Sequence, residues 1–250
     1  MRLSKITIIA LCFLFIGSPV FSQTVDDVIN KYITQIGGVE KWKAVKTMKT
    51  TAKVKVQGMD LPLIITQKAP NMVKGSVVFQ GKEIVQPGFD GKTAWNTNFM
   101  TMKPEKADDE TSKNSIDESQ MLDPFIDYAA RGYKASLEGS ETVEGTDCHK
   151  VKLVRKPIFV DGKEEINESF YFFDKENNVP ILMRQTSKKG QAKGSIVETV
   201  LSDYQEVNGL FLPFSMTIKY NGQVGQSVIT EKVEFNVDVD DKIFAFPVEK

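Results

Sequence analysis

Cys148 and His149 stand side by side, the one place in the chain where a thiol meets an imidazole. A cysteine nucleophile needs such a base within hydrogen-bond reach. The surrounding residues alternate in hydrophobicity, however, and consecutive side chains of a strand point to opposite faces, so the pair is predicted not to form a dyad. A serine triad built on His149 would need a nucleophile elbow, and no G-x-S-x-G occurs. Phosphate-cradling and dinucleotide-binding glycine patterns are absent as well. With one histidine in 250 residues, the chain cannot assemble a multi-histidine zinc site. The acid pairs Asp108-Asp109, Glu164-Glu165 and Asp240-Asp241 could in principle serve acid/base hydrolysis. Among 33 acids such pairs arise by chance and fall in polar turns, where they read as solvated surface. The expectation is therefore no enzyme, no catalytic residue, no metal and no cofactor. Basic residues number 32 against those 33 acids, so no cationic field exists to hold nucleic acid.

The amino-terminal residues give an address instead. Arg2 and Lys5 precede an apolar run from Ile6 to Ile16, Gly17-Ser18-Pro19 breaks it, and Val20 and Ser22 suit the −3 and −1 positions of a cleavage site. Residues 1–22 read as a signal peptide, cleaved near Ser22-Gln23, which predicts a periplasmic or secreted protein. The alternative, a membrane anchor, asks for about 20 apolar residues. Cys12 lies inside the apolar run behind Leu11, where a lipidation site would want a small residue. The mature chain, mildly acidic, keeps Cys148 as its single cysteine and so can form no internal disulfide. No second long apolar run follows, so no transmembrane segment is expected in it.

Residues 23–250 read as a single domain. Thr24 can cap a helix whose first turn carries Asp26 and Asp27, and Val25, Val28, Ile29, Tyr32, Ile33 and Ile36 form one apolar stripe along it. Gly37-Gly38 ends that helix, and Trp42 and Val45 suggest a further turn or two. From Met48 the period switches to two. Strands are predicted up to Val56, over 61–67 and over 73–80, and the turn signals Asp90-Gly91, Asp161-Gly162, Asn208-Gly209 and Asn221-Gly222 continue the hairpins. The pattern predicts an α+β chain with an antiparallel meander of about ten strands. Residues 100–120 lack periodicity and read as a loop, with a mobile flap expected over 99–119. Met121, Leu122, Phe125 and Ile126 suggest a short second helix. An amphipathic helix lying on a curved sheet leaves either a filled core or an apolar cavity, and periodicity alone favours the filled core.

Several segments together change that balance. The stretch 29–38 (INKYITQIGG) followed by Trp42 and Val45, Gln57-Gly58-Met59, residues 89–95 (FDGKTAW), residues 203–209 (DYQEVNG) and Leu212-Pro213 resemble the outer-membrane lipoprotein-sorting family, the LolA-like periplasmic carriers. The resemblance implies a strongly curved, unclosed β-barrel over helices, whose apolar interior accepts the acyl chains of a lipid or lipoprotein without catalysis. On that basis Val54, Val56, Leu61, Leu63, Ile65, Val77, Phe79 and Trp95 are expected to line a ligand cavity, with a one-residue uncertainty over which neighbours face inward. The sequence departs from that family's pattern in its mild acidity and in lacking an arginine that aligns with a cavity lid. A non-enzymatic envelope module that binds a protein partner and has a filled core stays open as the alternative, with a hydrolase behind it.

Overall fold

The computed structural model describes residues 23–56 and 58–247. The proposed signal peptide lies outside them. Helices α1 (Val25–Gln35) and α2 (Val39–Ala44) lead into strands β1 (Thr47–Val56), β2 (Met59–Lys68), β3 (Met72–Phe79), β4 (Lys82–Phe89), β5 (Ala94–Thr97) and β6 (Pro104–Lys106). Helix α3 (Asp109–Glu118) follows, then β7 (Lys134–Val143), β8 (Thr146–Val154), β9 (Ile158–Val160), β10 (Lys163–Glu165), β11 (Glu168–Asp174) and β12 (Pro180–Thr186). The chain closes with β13 (Ile196–Val207), β14 (Leu210–Tyr220) and β15 (Gln223–Phe235).

Thirteen of these strands form one antiparallel sheet in the order β6-β5-β4-β3-β2-β1-β15-β14-β13-β12-β11-β8-β7, and β9-β10 is a separate hairpin. The two ends, β6 and β7, do not pair, so the curled sheet is an unclosed barrel. It has more strands than the ten or so expected, in the same class of architecture. Asn208-Gly209 and Asn221-Gly222 make two-residue turns with positive φ at both positions, the conformation that matches strand twist. Asp90-Gly91 instead opens a longer connection between β4 and β5.

Helix α1 starts with a reciprocal cap: the Thr24 side chain accepts from the Asp27 amide, and the Asp27 carboxylate accepts from the Thr24 amide at 2.9 Å. Its apolar stripe is buried in a core with Trp42, Val151 and Leu153 of β8, Phe173 of β11 and Leu210 of β14. Phe125 packs edge-on against both Tyr32 and Phe173 in the same core. The helix thus fills one half of the concave face. A smaller apolar cluster, Ala52, Val54 and Leu63 with Val77 and Val228 beside them, marks the other half.

Two expectations between residues 99 and 126 change. Where a loop was expected, α3 runs from Asp109, capped by Asp108, whose carboxylate accepts from the Thr111 amide at 2.7 Å. This helix is polar nearly all round, so it shows no apolar period. What holds it is the buried Asn114, which donates to the Phe159 carbonyl and accepts from the Phe159 amide, both at 2.8 Å. Where the short helix was expected around Phe125, the chain makes successive turns, Ile126 bonding back to Asp123 and Tyr128 to Phe125. Phe125 and Ile126 are buried all the same. Residues 99–119 thus hold a hairpin arm and a docked helix.

Candidate ligand cavity

The concave face of β1–β4, with Met216 of β14 and Gln226 and Val228 of β15, encloses an open cavity of about 630 Å³. The ladder explains who faces it. Val54 pairs with Leu61 and with Val228, Ala52 with Leu63, Leu63 with Val77, and Val77 with Ile84, and directly opposed residues share a face. Val54, Val56, Leu61, Leu63, Ile65, Val77 and Phe79 are accordingly brought together on its wall. Met59 and Phe99, 42% and 61% exposed, also line it and leave apolar surface open to solvent. The side chains on this wall are aliphatic or aromatic apart from Gln86 and Gln226, so the space offers contact area and very little hydrogen bonding. Volumes of roughly 300–1,000 Å³ are usual for small-molecule sites.

Trp95 is the correction. It does not line the cavity; its indole lies over Gly88 on the opposite face, and its Nε1 donates to the Phe244 carbonyl at 2.8 Å. The cause is a β-bulge: Lys74 pairs with Gly88 but Ser76 pairs with Val85, so Gly75 alone opposes both Gln86 and Pro87. One extra residue reverses the alternation along β4. Ile84 and Phe89 therefore share the inner face although five positions apart, and Trp95, paired with Gly88, turns outward. The carboxy-terminal segment covers that outer face. Thr47 donates to the Val237 carbonyl at 2.6 Å, and Phe246 meets the Trp95 ring edge-on. Ile84, which the sequence reading left out, lines the cavity and is 3% exposed. Its alternation with Glu83 and its pairing with Val77 were the signals that could have placed it.

The residues considered for catalysis are held apart. Cys148 is buried on one face of β8, and its neighbour His149 turns to the other. Burial and the Asp174 charge push the thiol up to about 11, while burial lowers the His149 pKa. Asp108 and Asp240 are helix caps, Asp241 pairs with Lys68, and Glu164 and Glu165 sit on β10. No group of three or more His, Cys, Asp or Glu side chains suited to a metal occurs among the described residues.

A family model described as an uncharacterized protein, with the suffix "-like", matches residues 123–246. Three solved structures share the fold. A DUF1329 family protein from Desulfovibrio piger is 12% identical, with a TM-score of 0.55 over 90% of this chain and 98% of that one. A domain named for outer membrane lipoprotein sorting, from Vibrio parahaemolyticus, is 10% identical, with a TM-score of 0.56 over 87% and 94%. A LolA superfamily protein from Nitrosomonas europaea is 11% identical, with a TM-score of 0.52 over 90% and 98%. The comparison with curated proteins finds no match. The chain therefore has the LolA-like fold: one large, curled, unclosed antiparallel sheet around helices. No helix among the described residues is long and apolar enough to cross a membrane.

Proposed function

We propose that this protein is a non-enzymatic carrier of the cell envelope, exported by cleavage of residues 1–22, that holds the acyl chains of a lipid or lipoprotein in the cavity of β1–β4. The observation that carries this reading is the cavity itself: about 630 Å³ of open space walled by Val54, Leu61, Leu63, Ile65, Val77 and Phe79. Each methylene buried there contributes about 0.8 kcal/mol, so a long chain binds without a charged anchor. Participation in outer-membrane lipoprotein sorting follows as the specific role, in keeping with the fold shared with the Vibrio domain.

Mass spectrometry of organic extracts from gently purified mature protein tests it, paired with displacement of an apolar dye by fatty acids of increasing length. Co-purified lipid and displacement that strengthens with chain length support the carrier. An empty protein, with short and long chains failing equally to displace the dye, rejects it. A second reading, an envelope module that docks a protein, rests on Met100, 93% exposed at the hairpin tip next to Phe99. A saturable protein partner together with an empty cavity would favour that one.

A further inference from the structure

A second, chemically opposite pocket lies where the β12–β13 connection meets the end of α3 and the starts of β9 and β11. It measures about 280 Å³ and is lined by Arg155, Asn167, Lys188, Lys189, Glu118 and Glu168 among others. We propose that it binds a small oxyanion, a phosphate or carboxylate group.

Donors without acceptors carry the argument. Asn167 is 8% exposed, and its Nδ2 is one of two buried side-chain atoms among the described residues with no hydrogen-bond partner. A buried amide N–H left unpaired is costly, and Asn167 is one of the residues that line the pocket, so its side chain has a donor to turn toward an acceptor bound there. The half-buried Arg155 lies beside it, its backbone amide donating to the Asn167 carbonyl at 2.9 Å. Among the described residues its guanidinium makes no hydrogen bond or ion pair. A guanidinium presents a planar fork of donors that fits oxyanion geometry.

Lys188 and Lys189 supply further positive charge. Each makes one carboxylate contact, to Glu165 at 3.3 Å and to Glu118 at 4.0 Å, which leaves ammonium donors to spare. The wall thus holds three cations against Glu118 and Glu168, both on its exposed rim. Asp117, the other residue with an unpartnered buried atom, is not on the wall and accepts from the Tyr133 hydroxyl at 2.6 Å. No residue of this wall belongs to the apolar cavity, so the site stands independently of the carrier reading.

The test is a titration of isotope-labelled mature protein with inorganic phosphate, against sodium chloride at matched ionic strength, following the Arg155 and Asn167 side-chain resonances. Saturable shifts with phosphate and none with chloride are expected. Arg155→Gln should weaken binding by about tenfold, and Asn167→Asp, which sets a carboxylate in the pocket, should abolish it. Lys232→Gln, remote on β15, should change nothing, and dye binding in the apolar cavity should survive all three substitutions. A second arm adds a lysophospholipid with a phosphate headgroup. If phosphate competes with it and Arg155→Gln weakens both, the oxyanion is a lipid headgroup; if phosphate binds without competing, it is a free anion. Absence of shifts with either compound, equal shifts with chloride, or equal loss in the Lys232 variant overturns the proposal.

Discussion

The Tyr32 hydroxyl of α1 donates to the Asp123 carboxylate at 2.7 Å, and so ties the amino-terminal helix to the turns that precede β7. Asp123 also accepts from the Phe125 amide at 2.9 Å, and Arg131 donates to its carbonyl at 2.8 Å. Tyr32 is buried against Phe125 and Phe173 and Asp123 is half-buried beside it, so the carboxyl is largely taken out of water with only a few bonds to compensate. Tyr32→Phe removes one of those bonds and should cost about 1–3 kcal/mol in urea unfolding.

The same pair sets a pH dependence. Burial pushes the Asp123 pKa up, against the hydrogen bonds from Tyr32 and Phe125, which lower it. An acid with a folded pKa above its unfolded value holds its proton more tightly when folded. Its contribution is therefore complete below the unfolded pKa, and is lost as pH rises through the folded one. Asp123→Asn keeps an acceptor for Tyr32 without the charge. Its stability relative to wild type should rise as pH climbs out of the ordinary carboxylate range, measured by thermal unfolding across pH; a constant offset would contradict this.

Ile33 on α1 is 8% exposed in the main core. Ile33→Asp would bury a carboxylate with no partner and cost several kcal/mol, enough to abolish or nearly abolish folding. An unchanged melting temperature would show the helix to be peripheral to stability.

Gly88 pairs with Trp95, and a Cβ at Gly88 would clash with the indole ring. Gly88→Ala should therefore destabilise by about 1–3 kcal/mol, through displacement of Trp95 from its bond to Phe244. A red shift of Trp95 emission in a Trp42→Phe background would report that displacement directly.

Because Trp95 faces away from the cavity and Trp42 donates to the Ile36 carbonyl in the core, neither native tryptophan touches the ligand space. Native emission should stay nearly constant as a long-chain lipid is added, whereas a Phe79→Trp variant should shift. Each added methylene should tighten binding about fourfold until the cavity is full.

Local chemistry was legible wherever a segment carries its own signal. The capped stripe of α1, the Asn-Gly turns and the alternation of β1 to β3 each depend on residues a few positions apart, and with them came the antiparallel meander, whereas the curled, unclosed sheet and its cavity were expected from the resemblance to the LolA-like family. Three features depend on contacts remote in sequence. Helix α3 exists through Asn114 gripping the backbone of Phe159, a bond that no periodicity announces. The bulge opposite Gly75 is set by the pairing of β3 with β4, and it alone sends Trp95 outward. Whether the concave face is filled or open was decided by where α1 lies: it packs with Val151 and Leu153 of β8 and Phe173 of β11 while none of its residues lines the cavity of β1 to β4, and the stripe on a helix specifies that it must pack, not which strands receive it.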